Sequence, residues 1–330
     1  MASYNTSQEN NSSSASHLPW FLWYRTPQTL RVALVITYIA TVSFSLLGDI
    51  ALVAVICKYK HMRTKGNYLV LNMAVSDIAA MLVLTRGIYV RHTQTWTWDV
   101  QGRFGDALSK ISAFIRDVSV SVSIHSMVFL ALNRFFAVVY PTRPAPRLLA
   151  PRVVIPLTCI TAFATFGVYF RVYRTITLYG NKYCLGILEP PFDPITAGRD
   201  FYLVFMTSLF IIPLPLMGTV YIAVARKLKR QAIPGEALPE NEKRRRKRNK
   251  NVVLMAVTVT ASFMICWIPQ HTLVILHNFF WDETLSHLTF EELKEAMDIV
   301  VAIAYACFAV NPFICFMFSE SLRKAITRLL

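Results

Sequence analysis

The sequence predicts an all-α membrane protein: a bundle of seven transmembrane helices followed by a short amphipathic helix. Three observations predict it. The chain of 330 residues is 55% hydrophobic and only 16% charged, against about 25% charged in ordinary soluble domains. Its apolar residues gather into seven long runs, near 31–58, 67–90, 107–133, 152–172, 201–225, 252–280 and 296–318. A helix needs about 20 apolar residues to cross a bilayer. Most of the 34 lysines and arginines fall in alternate connecting segments, which gives the two membrane faces different charge. A β-barrel does not fit, because the runs are continuous rather than alternating segments of about ten residues.

Residues 1–29 read as an extracellular tail. Asn5, Asn10 and Asn11 each begin an Asn-X-Ser sequon, a glycosylation signal that has use only on the lumenal side. Residues 1–17 are polar, and the patch LPWFLWY at 18–24 is too brief for a signal-peptide core, so the first long run is expected to serve as an uncleaved insertion signal. With the N-terminus outside, the inner segments carry Lys58, Lys60, Arg63 and Lys65, then Arg134, Arg143, Arg147 and Arg152, then the basic stretch 226–250, and finally Arg323, Lys324 and Arg328. The last outer loop is acidic, with Asp282, Glu283, Glu291, Glu292 and Glu295. The net charge of +15 is therefore a topology signal, and the run KRRRKR at 243–248 is weak grounds for nucleic-acid binding in such a chain. The expected location is the plasma membrane, multi-pass, with the lipid bilayer as a partner.

The membrane domain spans 30–318. The run at 243–248 has no Gly or Pro and should extend the sixth helix inward. In 319–330, Leu322, Ile326, Leu329 and Leu330 share one helical face and Ser319 is a plausible cap, so this stretch should lie on the inner membrane surface. Five of the six cysteines (Cys57, Cys159, Cys266, Cys307 and Cys315) fall in or at the ends of spans and read as small apolar fillers. Cys184 alone lies in an outer loop, with no obvious extracellular partner.

Polar groups at membrane depth are costly and mark function by default. Asp49, Asp77, Ser123 and Asn311 lie inside the first, second, third and seventh spans. In a bundle they would form one oxygen-rich cluster suited to a hard cation, of which Na⁺ is the abundant extracellular one. The alternative is a hydrogen-bond network that only ties helices together. Pro213, Pro269 and Pro312 each interrupt a span; proline removes a backbone hydrogen bond and kinks the helix. No nucleophile–base arrangement or metal-ligand spacing argues for an enzyme.

Several of these residues recur as an ordered set. Cys266-Trp267-Ile268-Pro269, with Phe263 one turn earlier, resembles the CWxP switch of rhodopsin-like (class A) G-protein-coupled receptors. Asn311-Pro312 resembles the start of their NPxxY motif, LNMAVSD ending at Asp77 their second-helix pattern, and Pro213 followed by Tyr221 their fifth helix. Asn133-Arg134-Phe135 occupies the place of their DRY motif, and Pro141 the usual second-loop position. The resemblance covers about 30–330. Within the family, the stretches 111–141, 267–276 and 316–326 look most like peptide receptors, of the bombesin type and the related invertebrate CCHamide receptors.

The resemblance implies a cell-surface receptor for an extracellular ligand, a neuropeptide by its closest likeness, that activates a heterotrimeric G protein by movement of the sixth helix. It implies ligand contacts at Arg116, Asp117, Arg174, Trp267, Gln270, His271 and Tyr305, with Phe114 beside them. Adjacent helical residues do not face each other, so only Arg116 of the Arg116–Asp117 pair is expected to point straight into the cavity. The implied switch is Phe263, Trp267 and Pro269; the implied G-protein contacts are Arg134, Tyr221 and Lys247. No cofactor is expected beyond an allosteric sodium ion at Asp77, Asp49, Ser123 and Asn311. The departures are as specific as the matches. Ser109 stands where the family has a third-helix cysteine, Asn133 replaces the acid before Arg134, Asp49 replaces the first-helix asparagine, Cys315 replaces the NPxxY tyrosine, and 152–172 lacks a tryptophan. They keep open a decoy or scavenger receptor that does not signal. A transporter or channel is a third reading, disfavoured because no inverted repeat is visible.

Overall fold

The computed structural model describes residues 24–143, 146–187, 193–230, 240–280 and 288–329. The sequons at Asn5, Asn10 and Asn11 lie outside them. Within them are seven helices long and apolar enough to cross a membrane: α1 (Gln28–Lys58), α2 (Lys65–Thr93), α3 (Gly102–Val139), α4 (Pro151–Val172), α5 (Thr196–Arg230), α6 (Asn249–Phe279, continuous inward to Glu240) and α7 (Phe290–Phe318). An eighth, α8 (Glu320–Thr327), follows a single extended residue, Ser319. Each span expected from the sequence is present, most of them lengthened by a few residues at the ends. The basic run does extend α6 beyond its span, at the end that the charge asymmetry predicts to be inner.

Local chemistry explains where the helices begin and stop. Thr64 accepts a hydrogen bond from Asn67 N at 3.2 Å and caps α2. Thr289 and Glu292 form a reciprocal capping box at the start of α7, with bonds of 3.2 and 2.8 Å. Ser319 caps α8 by accepting from Leu322 N at 3.3 Å. α4 starts on Pro151, whose missing N–H is no loss in a first turn. α3 stops at Val139 because Tyr140 precedes Pro141 and is pushed out of the helical region.

The faces of the helices are divided by burial. Leu52, Met81, Ile124, Met127, Leu209 and Phe308 are almost fully buried, whereas Phe44, Leu47, Ile265 and Phe313 are about two-thirds exposed around the girdle. Large apolar side chains exposed in this number suit a lipid surround. α1 and α7 approach closely because Gly48 faces Pro312; a Cβ at position 48 would stand 2.6 Å from the proline ring. Pro213 follows a π turn at Thr207–Ile211 in α5. The bulge absorbs the bond that proline cannot make. It leaves Leu209 and Phe210 buried.

The outer end carries an element with no counterpart in the sequence reading. After α4 the chain forms an antiparallel hairpin, β1 (Tyr173–Leu178) and β2 (Asn181–Gly186). Tyr179 and Gly180 both have positive φ, 49° and 78°, the geometry of a two-residue primed turn. Three contacts fasten the hairpin. The Asp106 carboxylate of α3 accepts from Thr175 N at 3.0 Å, Trp98 N donates to Lys182 O at 2.6 Å, and Thr97 pairs with Tyr183. The tail is also anchored where it meets α1: Tyr24 is buried against Phe290, and Thr26 N donates to Gln94 Oε1 at 2.9 Å.

Candidate functional site

The bundle holds its polar and aromatic residues in four tiers between the hairpin and the inner surface. The outermost is built on α3. Arg116 and Asp117 are neighbours in sequence and bind each other, Nε to Oδ1 at 3.1 Å and Nη2 to Oδ2 at 3.3 Å. Tyr169, at the end of α4, donates to Asp117 Oδ2 at 2.8 Å. Arg116 and Asp117 thus meet as a pair, with Asp117 engaged by Tyr169 on the α4 side. A long arginine side chain can fold back round the helix, so the spacing argument for short side chains does not hold it apart from Asp117. The pair neutralises itself, and Tyr169 completes it. Arg174 sits in β1 above this tier, paired in register with Leu185.

Opposite α3, His271 of α6 is 5% exposed and receives or gives a hydrogen bond between Nδ1 and Tyr202 Oη at 2.9 Å. Its Nε2 is buried with no partner, and so is Oε1 of Gln270. Unsatisfied buried polar atoms are rare in folded proteins and call for an explanation. Here two lie side by side on the same helix. Phe114 does not join them. It packs against Phe163 and Phe170, each at 4.9 Å, on the α4 side.

Below lies an aromatic column. Trp267 is stacked between His271 (5.6 Å) and Phe263 (5.5 Å) and touches Phe210 and Tyr305. Phe210 meets His271 at 4.0 Å and Phe263 at 6.1 Å, a placement that the π turn of α5 makes available. The indole N–H of Trp267 donates to Cys307 Sγ of α7 at 3.2 Å. Trp267 is 4% exposed, so it is the floor of the outer tier rather than part of its wall. Pro269 lies two residues above it, inside α6.

The third tier is the polar cluster. Asp77 is 1% exposed; it accepts from Ser123 Oγ at 2.7 Å and from Asn311 Nδ2 at 3.4 Å, joining α2, α3 and α7. Ser76 shares a 3.1 Å bond with Ser123. Asp49 is bonded only to Ser45 of its own helix, at 2.8 Å, although its carboxyl is within electrostatic reach of Asp77. Asn311 Oδ1 is buried without a partner. That orphan oxygen belongs to a cluster that also holds the Asp77 carboxyl and the Ser123 hydroxyl, oxygen donors whose chemistry fits a hard cation. Among the described residues no group of three or more His, Cys, Asp or Glu is placed to hold a metal ion, so oxygen donors from Ser and Asn would have to complete the cluster.

At the inner end, Tyr221 turns towards α6, where its hydroxyl meets Ala256 O at 3.2 Å and Thr260 Oγ1 at 3.1 Å. Arg134 packs towards α2. Lys247 is exposed on the inward extension of α6. The three residues expected to meet a partner thus share the inner end, on three different helices.

Several members of the site were not singled out from sequence. Tyr169, Tyr202 and Phe210 lie in aromatic-rich runs whose spacing cannot say which ring faces inward. Asn72, which donates to Ser126 at 2.9 Å and Thr158 at 3.2 Å and so ties α2, α3 and α4, stood five residues before Asp77. The hairpin had only a partial signal, the β-forming run YRTITL before Tyr179-Gly180, because NKYCLG is poor in β-formers.

Comparison with known proteins agrees with this architecture. The family model described as "7 transmembrane receptor (rhodopsin family)" matches residues 48–315. The chain is 29% identical over 243 residues to the human neuromedin-K receptor, covering 73% of this chain and 50% of that receptor. It is 30% identical over 251 residues to the bovine substance-K receptor (73% and 62%) and 26% identical over 242 residues to bovine prokineticin receptor 1 (71% and 59%). The chain thus spans about half to three fifths of the length of these relatives.

Proposed function

Because this chain belongs to the rhodopsin family of seven-transmembrane receptors, we propose that it is a cell-surface receptor for an extracellular peptide and activates a heterotrimeric G protein. The observation that carries the reading is the unbroken stack from His271 through Trp267 to Phe263. It starts beside two buried polar atoms left without partners and runs along the helix that Pro269 interrupts. A ligand that satisfies Gln270 Oε1 and His271 Nε2 favours one packing of this stack over another, which is a shift of population and needs no chemistry. Relatives named as receptors for neuromedin-K and substance-K support a peptide. So does an outer tier whose Arg116 is already balanced by Asp117, since a neutral or mixed-charge ligand suits such a wall. The narrower bombesin or CCHamide likeness rests on the quoted stretches alone.

In this reading the N-terminus is outside and the basic segments are inside, at the plasma membrane. Arg134, Tyr221 and Lys247 belong to the surface offered to the G protein. Asp77, Ser123, Asn311 and Asp49 are proposed to hold a sodium ion that favours the resting state. The test is expression in cells with second-messenger and G-protein readouts against a neuropeptide library. Activation by one peptide, lost in W267A and in R134A at equal surface expression, is the expected result. Uptake of peptide with no G-protein response in any pairing would overturn it in favour of a scavenger.

A further inference from the structure

Arg134 has no acid beside it. Its Nε is buried without a hydrogen-bond partner, as is Nδ2 of Asn133, and among the described residues Arg134 forms no ion pair. Arg134 is half-buried, and an unpaired cation drawn part-way out of water carries a desolvation cost. It is nonetheless seated, and the seat is on α2. Gly66, the second residue of that helix, is buried. A Cβ placed there would overlap Arg134 Nη2 and stand 3.2 Å from Cζ, with Leu130 Cδ1 at 3.7 Å.

Gly66 does not serve the backbone. It is helical, and its φ is not among the positive values of this chain. Glycine is a weaker helix former than alanine, so propensity alone does not favour it at this position. What the glycine provides is a vacancy the size of a methyl group, filled by the guanidinium. Electrostatics oppose the arrangement. The start of α2 has no acid in its first turn and begins with Lys65, and a helix N-terminus carries partial positive charge. Shape holds Arg134 where charge would expel it.

We propose that Gly66 is a positioning residue for Arg134: the notch on α2 holds the guanidinium against the wall of the bundle, a task that an acid at position 133 would otherwise perform. The missing Cβ admits the guanidinium into van der Waals contact with α2, and this contact does not weaken with salt or pH as an ion pair would. Its functional consequence rests on the receptor reading: a held Arg134 is withheld from the inner mouth, and a released one is presented to the G protein.

The test uses the full chain carrying G66A, R134A or both. Thermal unfolding in detergent comes first. With Arg134 present, G66A should lower the midpoint or leave it unimproved; in the R134A background, the same substitution should raise it by about 2–4 °C, since only helix propensity remains. The change of sign is the signature. An equal effect of G66A in both backgrounds overturns the proposal. Should G66A alone fail to express, recovery of expression in the double variant supports the notch, and failure of both overturns it. Basal nucleotide exchange on a G protein is the second measurement: G66A should raise it about five-fold, the change that roughly 1 kcal/mol makes in a two-state equilibrium, and should raise it less in an N133D background. Coupled midpoints with no exchange in any variant would leave the positioning role standing and remove the receptor reading. Exchange with uncoupled midpoints would do the reverse.

Discussion

The Ser109 side chain of α3 stands beside the Cys184 thiol of β2, close enough to act on it electrostatically, while its hydroxyl donates to Asp106 O at 3.1 Å. These are two positions at which the outer hairpin and the third helix meet, and only one of them is a cysteine; all six cysteines of the chain are free. Burial pushes the Cys184 thiol above its ordinary range. The hairpin is fastened instead by Asp106 to Thr175 and by Trp98 to Lys182. Ser109→Cys should therefore form a disulfide with Cys184, adding about 2–4 kcal/mol. Non-reducing mass spectrometry and the melting midpoint check it. A free thiol pair after oxidation would show that the two side chains do not meet in disulfide geometry.

Cys184 also carries a pH prediction. The thiolate, not the thiol, is the reactive form, and a raised pKa keeps the thiol protonated at neutral pH. Alkylation of Cys184 in the folded protein should be slower at about pH 7.5 than that of an unfolded control and should accelerate as pH rises through the ordinary thiol range. Equal rates near neutrality would contradict a buried, protonated thiol.

Asp298 of α7 binds two cations, Lys294 at 2.6 Å and Arg91 of α2 at 3.5 Å. Arg91 in turn lies over the ring of Tyr38 in α1 at 4.3 Å. One carboxylate thus ties the outer ends of three helices. Asp298→Asn leaves two neighbouring cations without their counter-charge and should cost about 1.5–3 kcal/mol, the worth of hydrogen bonds to charged groups. A melting midpoint equal to that of the parent would mean that solvent already screens the cluster.

Tyr202→Phe should destabilise the protein by about 1–3 kcal/mol, because it leaves both nitrogens of a buried histidine unsatisfied. His271→Phe in the same background should recover most of the loss, since removing both partners of a buried hydrogen bond is close to neutral. The double-variant cycle, read by thermal unfolding, should show strong non-additivity. Additive losses would place the pair out of contact.

The polar cluster predicts that sodium, compared with an equimolar organic cation, raises the melting midpoint, and that Asp77→Asn abolishes this response. Asp49→Asn should weaken it less, since Asp49 is held by Ser45 and has no hydrogen bond to another helix. A sodium response that survives Asp77→Asn would mean the cluster is a hydrogen-bond network only. Asn133→Asp should lower basal signalling by giving Arg134 an anionic neighbour; unchanged or higher activity at equal surface expression would refute that.

Seven spans, the inward extension of α6 and the capped α8 were legible in the sequence, because each follows from length, hydropathy and local capping chemistry. The order of Asp77, Arg134, Trp267-Ile268-Pro269 and Asn311-Pro312 was enough to point to the receptor family. What one helix presents to another was not legible. The self-paired Arg116 and Asp117 depend on a side chain folding back round its own helix. Phe114 faces α4 rather than the cavity because of how α3 is rotated in the bundle, and one apolar run cannot encode that rotation. The seat of Arg134 is the clearest case. Gly66 reads in sequence as a weak helix former in a loop-proximal turn, and Arg134 as a cation at the inner end of a span. Only when α2 and α3 are packed does the missing Cβ become the space that holds the guanidinium. Hydropathy decides which segments enter the membrane; complementarity of surfaces brought together from distant parts of the chain decides which side chains meet there.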